Sequence, residues 1–462
     1  MLLAILIAKP ATQAVDNDFW WHLKTGELIF DRGLIRHDPY SWTAGGHSWV
    51  THEWLSELVI YSVQSTMGYL ANVLLFGLVA SAALGTMYAL GRLRGAGTKP
   101  LVVLTLVSVS VLASFMAVRP QLFSWLFFAI FLYVMYSRSE GRRAPIWALP
   151  PLMAVWVNLH LGFFYGLMLC AAWVGAEVWD AMRGRSNHLR EASVIAAGCL
   201  AATMLNPHGP EILWYPLRYL TDAAATHARV SEWLPPTPRQ WSHLPILACV
   251  TLLAATLASR ERPRPFLFIV AVVVGALALQ AVRNAPYAAL VLLPVAGGAL
   301  AARWPAASSG RDSRTRVILP LASGLVALAV AIVVGVGSRG APVAWTASTL
   351  GYPVAGTQYV QEHDTGQRLL VEYGWGGYVI HELYPDTKIF VDGRTDFYGN
   401  ALMENYFTIY DAQPGWDLLL DRYGVEVVLV PKRSRLAAAL AEAGSGWTLA
   451  FAGDIEVVFE RR

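Results

Sequence analysis

The chain has 462 residues, of which 55% are hydrophobic and only 15% are charged, and its mean hydropathy is +0.43. A soluble domain usually carries about 25% charged residues, so the composition excludes an ordinary soluble protein and indicates a polytopic α-helical membrane protein. The net charge of +3 is small and gives no reason to expect a nucleic-acid partner.

The chain begins with an apolar stretch, residues 1–14, that resembles the tail of a membrane span. Only eight apolar-leaning residues precede Lys9, whereas about 20 residues are needed to cross a bilayer. We therefore expect a partial span, or a chain whose start is truncated.

Residues 16–57 form a polar segment rich in carboxylate, His and Trp side chains. Long connections without a role are uncommon, and clustered titratable groups often mark functional sites. The segment is interpreted as a functional loop; the alternative is an ordered cap that only anchors at the membrane interface through its aromatic side chains. Its carboxylates and histidines are Asp16, Asp18, His22, Glu27, Asp31, His37, Asp38, His47, His52, Glu53 and Glu57.

Apolar runs predict ten membrane spans, a few of them short. They lie near residues 70–91, 100–118, 121–137, 146–159, 161–181, 192–205, 243–259, 265–282, 285–302 and 317–337. One set of alternate loops holds sixteen Lys and Arg residues and the other set holds five. Because cytoplasmic loops carry the excess of basic residues, residues 16–57 and everything after about residue 340 are predicted to lie outside. We expect a multi-pass protein of the cell (inner or plasma) membrane.

Polar residues stand at the predicted outer ends of the spans: Arg119, Asn158, His160, His208 and Arg283. Ionisable groups near a membrane are costly and suggest function, and Arg and His suit a phosphate. Together these residues predict a site for a lipid-linked phosphate. Taken singly, each has a structural alternative: an arginine that reaches to the headgroups, a helix cap, or an Asn-Pro turn.

From residue 352 onwards, β-rich runs alternate with helical stretches, which predicts a small α/β domain. The predicted domains are residues 1–344, which cross the membrane and include the loop 16–57, and residues 345–462 outside. Asp392 and Arg394 follow the apolar run KIFV, which is predicted to be a strand. Ligands bind at the carboxyl ends of strands in open α/β sheets, although an Asp–Arg pair that only closes the loop is the alternative.

These groups suit glycosyl transfer from a polyprenyl-phosphate sugar, because no nucleotide is available outside the membrane. A carboxylate would act as general base on the acceptor hydroxyl, and cations would stabilise the departing phosphate. In an extended segment, Asp16 and Asp18 would point to the same side, with His22 one helical turn further on. Asp18 is preferred as the base because it precedes Trp21 and His22 by one turn.

The sequence DNDFWWHLKTGELIFDRG, with DPYSWT and HEWLSE after it, resembles the first external loop of the GT-C glycosyltransferase superfamily. The likeness extends to the oligosaccharyltransferase catalytic subunit and to uncharacterised bacterial membrane proteins that share this loop. EYGWGGY (372–378) and FVDGRTDFYG (390–399) are similar to the WWDYG acceptor-binding region and the Asp-Gly-Gly stretch after it. About 90 residues carry this resemblance; the rest agrees in span pattern.

The resemblance implies a GT-C fold with 10–11 spans and an inverting transfer of a hexosyl or pentosyl group, with Asp16 and Asp18 as the catalytic Asp-x-Asp. It implies acceptor contacts by Tyr373 and Trp375, and the same role is predicted for His52, Glu53, Asp392 and Arg394. The acceptor is a glycan, a lipid or a protein. The family also binds a divalent cation, Mg²⁺ or Mn²⁺, with a second acidic motif. Here the corresponding loop, AVRPQ, has no carboxylate, so Asp16 and Asp18 are the candidate ligands if a cation binds.

Two other functions compete with this interpretation. A lipid or solute transporter or flippase would explain the spans and the polar groups, but such proteins are usually built from two related halves, and the sequence shows no repeat. A non-catalytic scaffold of the same fold is the second alternative, because a fold does not fix a function.

Overall fold

The computed structural model of the protein describes residues 16–185, 188–221, 228–301, 304 and 351–462. The predicted partial span at residues 1–14, the predicted span 317–337 and the predicted domain boundary at residue 344 lie outside these ranges, and they stay predictions. By their internal contacts the described residues form two compact units. We call residues 70–213 and 228–304 the membrane unit, and residues 16–69, 214–221 and 351–462 the sheet unit.

Two helices open the sheet unit: α1 (Phe19–Arg32) and α2 (Trp54–Met67). They pack against each other along their length. Ile60 of α2 is fully buried, and so is Trp20 of α1, whose ring packs against Tyr378 and His381.

The membrane unit is helical. Its first helices are α3 (Tyr69–Leu93), α4 (Thr98–Leu112), α5 (Gln121–Ser139), α6 (Leu149–Leu159), α7 (Phe163–Ala181) and α8 (Leu189–Ala202). The next helix, α9 (Glu211–Thr221), begins in the membrane unit and ends in the sheet unit. The membrane unit continues with α10 (Leu244–Ala258), α11 (Pro265–Gln280) and α12 (Ala285–Leu300). Pro or Gly marks the start of several of these helices: Pro120 precedes α5, Gly162 precedes α7, and Pro265 is the first residue of α11. At the first position of a helix the missing N–H of proline costs nothing.

These helices cover the nine predicted spans that fall in the described ranges. Four described helical segments are long and apolar enough to cross a bilayer: Tyr69–Leu93, Thr98–Phe115, Gln121–Ser139 and Trp241–Ala258. The prediction of a polytopic α-helical membrane protein with a C-terminal α/β domain is confirmed.

The C-terminal part of the sheet unit contains five helices and four strands. In chain order they are α13 (Val354–His363), β1 (Leu369–Val371), α14 (Tyr373–Leu383), α15 (Thr395–Tyr410), α16 (Trp416–Tyr423), β2 (Val427–Pro431), α17 (Arg435–Leu440), β3 (Trp447–Ala452) and β4 (Glu456–Arg461). The strand order is β1-β2-β4-β3. The β1–β2 pair is parallel, and the other two pairs are antiparallel.

The predicted strand KIFV does not form as an element of this sheet. Only Ile389 makes bridges, to Leu369 of β1 and to Ser41 of the loop that follows α1. The backbone groups of Ile389 are used by that loop: its N–H donates to the Tyr40 carbonyl, and its carbonyl accepts from the Trp42 N–H. The loop between α1 and α2 therefore packs beside the sheet and takes the partners that a longer strand would need.

Candidate functional site

Asp16 and Asp18 lie in a turn that starts α1, so the prediction of an extended segment is wrong. Asp18 has right-handed helical dihedral angles (φ −78°, ψ −21°). Its N–H donates to Asp16 Oδ1 at 3.0 Å, and the Phe19 N–H donates to the Asp16 carbonyl. Amide groups at a helix start have no partner within the helix, and Asp16 accepts one of them. The two carboxylates thus follow a turn and do not project from one side of a strand.

Asp18 is held by its neighbours in the sheet unit. Trp21 Nε1 donates to Asp18 Oδ1 at 3.2 Å. The same oxygen lies against Gly393, where a Cβ atom would come within 2.4 Å of it. A Cβ on Gly377 would come within 2.6 Å of the Asn17 carbonyl oxygen. The DND, GWGG and DGR motifs therefore meet in this unit, with a backbone contact at Gly377 and a side-chain contact at Gly393 that leave little room for a Cβ atom.

His22 of α1 lies between two carboxylates, Glu57 in α2 and Glu53 immediately before α2. Its Nδ1 is 3.3 Å from Glu57 Oε1, and its Nε2 is 3.5 Å from Glu53 Oε2. The second oxygen of Glu53 is 3.6 Å from His52 Nε2. Glu53 and Glu57 are four residues apart, so they project from one face of the helix. The side chains form an alternating row, Glu57–His22–Glu53–His52, which we call the His–Glu row.

The row favours protonated histidines. Burial lowers the pKa of His22, but the hydrogen bond to Glu57 and the charge of Glu53 outweigh it, so the pKa is raised. Burial also lowers the pKa of His52, but the charge and hydrogen bond of Glu53, together with Asp396 and the Val50 carbonyl, outweigh it and raise the pKa to about 9. Burial raises the pKa of the Glu57 carboxyl, and His22 offsets this only in part. Alternating charges make a low-dielectric cluster of this kind tolerable.

The row continues towards the DGRTDF segment. The His52 ring lies 5.2 Å from the Tyr215 ring, and the Tyr215 hydroxyl donates a hydrogen bond to Asp396 Oδ2. Asp396 stands in the first turn of α15. His52 and Glu53, predicted to contact an acceptor, are thus grouped with His22, which was predicted to be catalytic.

Arg394 and Asp392 are buried together with Asp38 of the loop. The three side chains are 1%, 0% and 0% exposed, respectively. Arg394 Nη2 donates to Asp38 Oδ1 at 2.8 Å and to Asp392 Oδ2 at 2.6 Å, and Nε donates to Asp392 Oδ1 at 2.8 Å. The Tyr398 hydroxyl donates to Asp392, and the guanidinium carbon lies 4.3 Å from the Trp49 ring centroid. This geometry favours the alternative of a pair that closes the loop, and an acceptor contact by either side chain stays a prediction.

The aromatic residues of EYGWGGY are engaged at the start of α14. Glu372 caps the helix by accepting from the Trp375 N–H at 2.9 Å. The Tyr373 N–H donates to the Tyr406 hydroxyl, and Trp375 Nε1 donates to the Gly351 carbonyl at 3.1 Å. Tyr373 and Trp375 are half-buried. Their predicted contact with an acceptor stays a prediction.

In the membrane unit, two of the predicted phosphate-binding residues contact the neighbouring residues Glu232 and Trp233. Arg119 Nη1 lies 2.7 Å from Glu232 Oε1. The guanidinium carbon of Arg283 lies 4.0 Å from the Trp233 ring centroid. The charge of Arg119, and less strongly that of Arg283, lowers the pKa of Glu232 despite its burial. The structure thus groups Arg119 with Arg283.

The other three predicted phosphate ligands lie at helix ends and a turn. Asn158 donates to the Leu205 carbonyl at 2.8 Å, and the His208 N–H donates to Asn206 Oδ1 at 2.7 Å, as expected for a turn. His160 Nδ1 accepts from the Gly162 N–H at 2.8 Å, so in the neutral ring the proton sits on Nε2. Their role in phosphate binding, and the convergence of the whole set with Asp16 and Asp18, stay predictions.

Among the described residues, no group of three or more His, Cys, Asp or Glu side chains could hold a metal ion. The cation site considered for Asp16 and Asp18 stays a prediction.

Sequence reasoning placed Glu57 in the functional loop without a specific role, and it missed Glu232 and Trp233. The spacing of Glu53 and Glu57 is a helical repeat that could have placed both beside one partner. Glu232 carried no such signal, because Arg119 is 113 positions away.

No family model matches the chain, and no curated protein matches its sequence. Solved structures do match. The apo oligosaccharyltransferase of Archaeoglobus fulgidus is 13% identical with a TM-score of 0.51, covering 93% of this chain and 69% of that one. The arabinofuranosyltransferase AftD from mycobacteria is 15% identical with a TM-score of 0.54, over 99% of this chain and 41% of that one. ArnT from Cupriavidus metallidurans, bound to undecaprenyl phosphate, is 13% identical with a TM-score of 0.50, over 99% and 96% of the two chains.

These three proteins are GT-C glycosyltransferases. At such low sequence identity the likeness establishes the fold alone. The resemblance to this superfamily, first indicated by the loop motifs, is confirmed at that level.

Proposed function

We propose that this chain, which shares its fold with the GT-C glycosyltransferases, moves a sugar from a polyprenyl-phosphate carrier to an acceptor on the outer face of the cell membrane. The excess of basic residues in one set of loops supports this orientation. Activation on a lipid carrier follows from it, because nucleotide sugars are absent outside the membrane.

The observation that carries the proposal is the grouping of Arg119 and Arg283 at the neighbouring residues Glu232 and Trp233. Arg119 pairs with Glu232, Arg283 stacks on the neighbouring Trp233, and the charge of Arg283 also acts on the Glu232 carboxylate. Guanidinium groups bind phosphate oxygens strongly. During transfer, the bond between the sugar carbon C1 and the phosphate oxygen breaks, and its electron pair goes to the phosphate. Cations stabilise that developing charge.

Asp18 is the general base in this proposal. It removes the proton from the acceptor hydroxyl as the acceptor oxygen forms its bond to C1. Because C1 is attacked from the side opposite the leaving phosphate, the transfer inverts its configuration. Trp21 Nε1, which donates to Asp18 Oδ1, fixes the orientation of the carboxylate. Asp16 organises the turn beside it, and Asp16 and Asp18 are the ligands proposed for any divalent cation.

The acceptor contacts in this proposal are His52, Glu53, Tyr373 and Trp375. His52 and Glu53 belong to the charged His–Glu row, which suits a polar acceptor, and aromatic side chains suit the faces of sugars. Asp392 and Arg394 hold the loop in place from the interior.

The test uses the purified full chain with undecaprenyl-phosphate-linked sugars and, first, mass spectrometry of lipid that co-purifies with it. Asp18→Asn should abolish transfer and leave the binding of undecaprenyl phosphate unchanged, whereas Asp31→Asn, at an exposed position of α1, should leave both unchanged. Transfer that survives in Asp18→Asn would support the scaffold alternative. Lipid translocation in vesicles without any transfer would support the flippase.

A further inference from the structure

Glu232 lies in a short turn that is fixed beside Arg283. The turn is a 3₁₀-helix, Ser231–Trp233, and the carbonyl of the next residue, Leu234, accepts from the Val282 N–H at 3.0 Å. This bond places Trp233 under the guanidinium of Arg283, 4.0 Å from ring centroid to guanidinium carbon. The stacking leaves the edge of the guanidinium, where its N–H groups point, for other partners.

The carboxylate of Glu232 occupies the position that an anion would take on Arg119. Its Oε1 is 2.7 Å from Arg119 Nη1, which is an ordinary distance for a charge-assisted hydrogen bond. The side chains of Arg119 and Glu232 are 20% and 33% exposed. The pair is partly exposed, and ion pairs in contact with solvent contribute modestly to stability, so a structural role alone does not account for it. It can also exchange its partner, because both groups are within reach of solvent.

We propose that Glu232 is an internal counter-anion that the phosphate of the donor displaces from Arg119. This inference rests on the proposed function and gives Glu232 a role in the binding step. A carboxylate carries one charge, and so do most competing anions, which gain little by replacing it. A phosphate group offers more acceptor oxygens and can engage Arg119 and Arg283 together.

The same exchange helps the reaction to finish. After the sugar has left, the polyprenyl phosphate keeps its negative charge and would remain on two arginines. Glu232 competes for Arg119 at that point and speeds the departure of the phosphate. Binding that is too tight in the product state slows turnover. Glu232 therefore lowers the affinity for the phosphate and raises the rate at which the product leaves.

The experiment measures the affinity of the purified full chain for undecaprenyl phosphate and, separately, for inorganic phosphate. Glu232→Gln should tighten both by about fivefold, since an exposed ion pair is worth roughly 1 kcal/mol. Glu232→Asp, whose carboxylate reaches less far, should tighten them less. Glu261→Gln removes the same charge from another loop of the membrane unit and should change neither affinity. Undecaprenol, which lacks the phosphate, should bind wild type and variants alike.

Affinities that are equal in wild type and Glu232→Gln, or weaker in the variant, overturn the inference, because Glu232 would then be neutral or would hold Arg119 in place for the ligand. An equal tightening in Glu261→Gln overturns it as well, since only the overall charge would matter. The proposed function is judged separately, by sugar transfer. If Glu232→Gln binds phosphate more tightly but the wild type transfers no sugar, the counter-anion role of Glu232 is supported and the proposed glycosyltransferase activity is refuted.

Discussion

Asp18 Oδ1 lies so close to Gly393 that a Cβ atom at this glycine would come within 2.4 Å of it. The contact joins the start of α1 to the segment before α15. It means that the position of the candidate base depends on a residue that has no side chain.

We expect Gly393→Ala to displace the Asp18 carboxylate while the fold is retained. The obstacle is the end of a side chain, which can rotate away, and not backbone. A misplaced catalytic group costs about 10- to 100-fold in rate, so transfer should fall by that factor with little change in the melting temperature. Gly175→Ala, where a Cβ meets nothing within 4 Å, is the control. Normal transfer by Gly393→Ala would show that Asp18 is not the base.

Arg394→Met should destabilise the protein strongly. It leaves Asp38 and Asp392 facing each other in the interior without their cation, and the loss of one partner of a buried pair costs roughly 3–5 kcal/mol. Arg368→Met, at an exposed arginine of the same unit, should change the free energy of unfolding very little. Thermal unfolding of the detergent-purified chain measures both. A stable Arg394→Met variant that loses acceptor binding would instead support the acceptor role.

The His–Glu row predicts a loss of stability at alkaline pH. The pKa of His52 is raised from 6.5 to about 9, so its contribution is fully present below pH 6.5 and disappears as the pH rises through about 9. The melting temperature of the wild type should fall over this window, and the fall should be smaller in His52→Gln. His37→Gln, at an exposed histidine, should follow the wild type. A parallel decline in all three proteins would assign the effect to other groups.

The orientation can be tested with single cysteines. In a variant without Cys170, Cys199 and Cys249, which are all buried, a cysteine at Leu449, a residue that is 52% exposed, should react with a membrane-impermeant maleimide in intact cells. A cysteine at Arg142, in a loop predicted to be cytoplasmic, should react only after lysis. The reverse labelling pattern would show that the sheet unit faces the cytoplasm, and it would contradict the proposed transfer on the outer face.

The helices and most of the sheet could be predicted because each carries its signal within one short stretch. Apolar runs gave the spans, and β-branched runs such as VEVVLVP gave β2. KIFV has the same local signal and still forms no strand, because the groups that pair with Ile389 come from Tyr40 and Trp42. The sequence near residue 389 does not indicate that Ile389 pairs with the loop that contains Tyr40 and Trp42.

The candidate site was predicted in its residues more than in its contacts. Asp18 and His22 were recognised from their motif, but the extended geometry assumed for Asp16 and Asp18 was wrong, since Asp16 accepts an amide that a helix start leaves unpaired. Glu232, the partner of Arg119, lies 113 positions away, and Asp38, the second carboxylate at Arg394, lies 356 positions away. Pairings over such separations depend on the folded chain, and a single sequence does not reveal them.

The bond between Asp38 and Arg394 also constrains the order in which the protein can fold during its synthesis. Their 356-residue separation spans nearly all of the membrane helices, and ribosomes add about 5–20 residues per second. For roughly 20–70 s, the loop after α1 waits without the arginine that its buried aspartate needs. Until Arg394 has been synthesised, the loop that follows α1 therefore cannot complete its buried contacts.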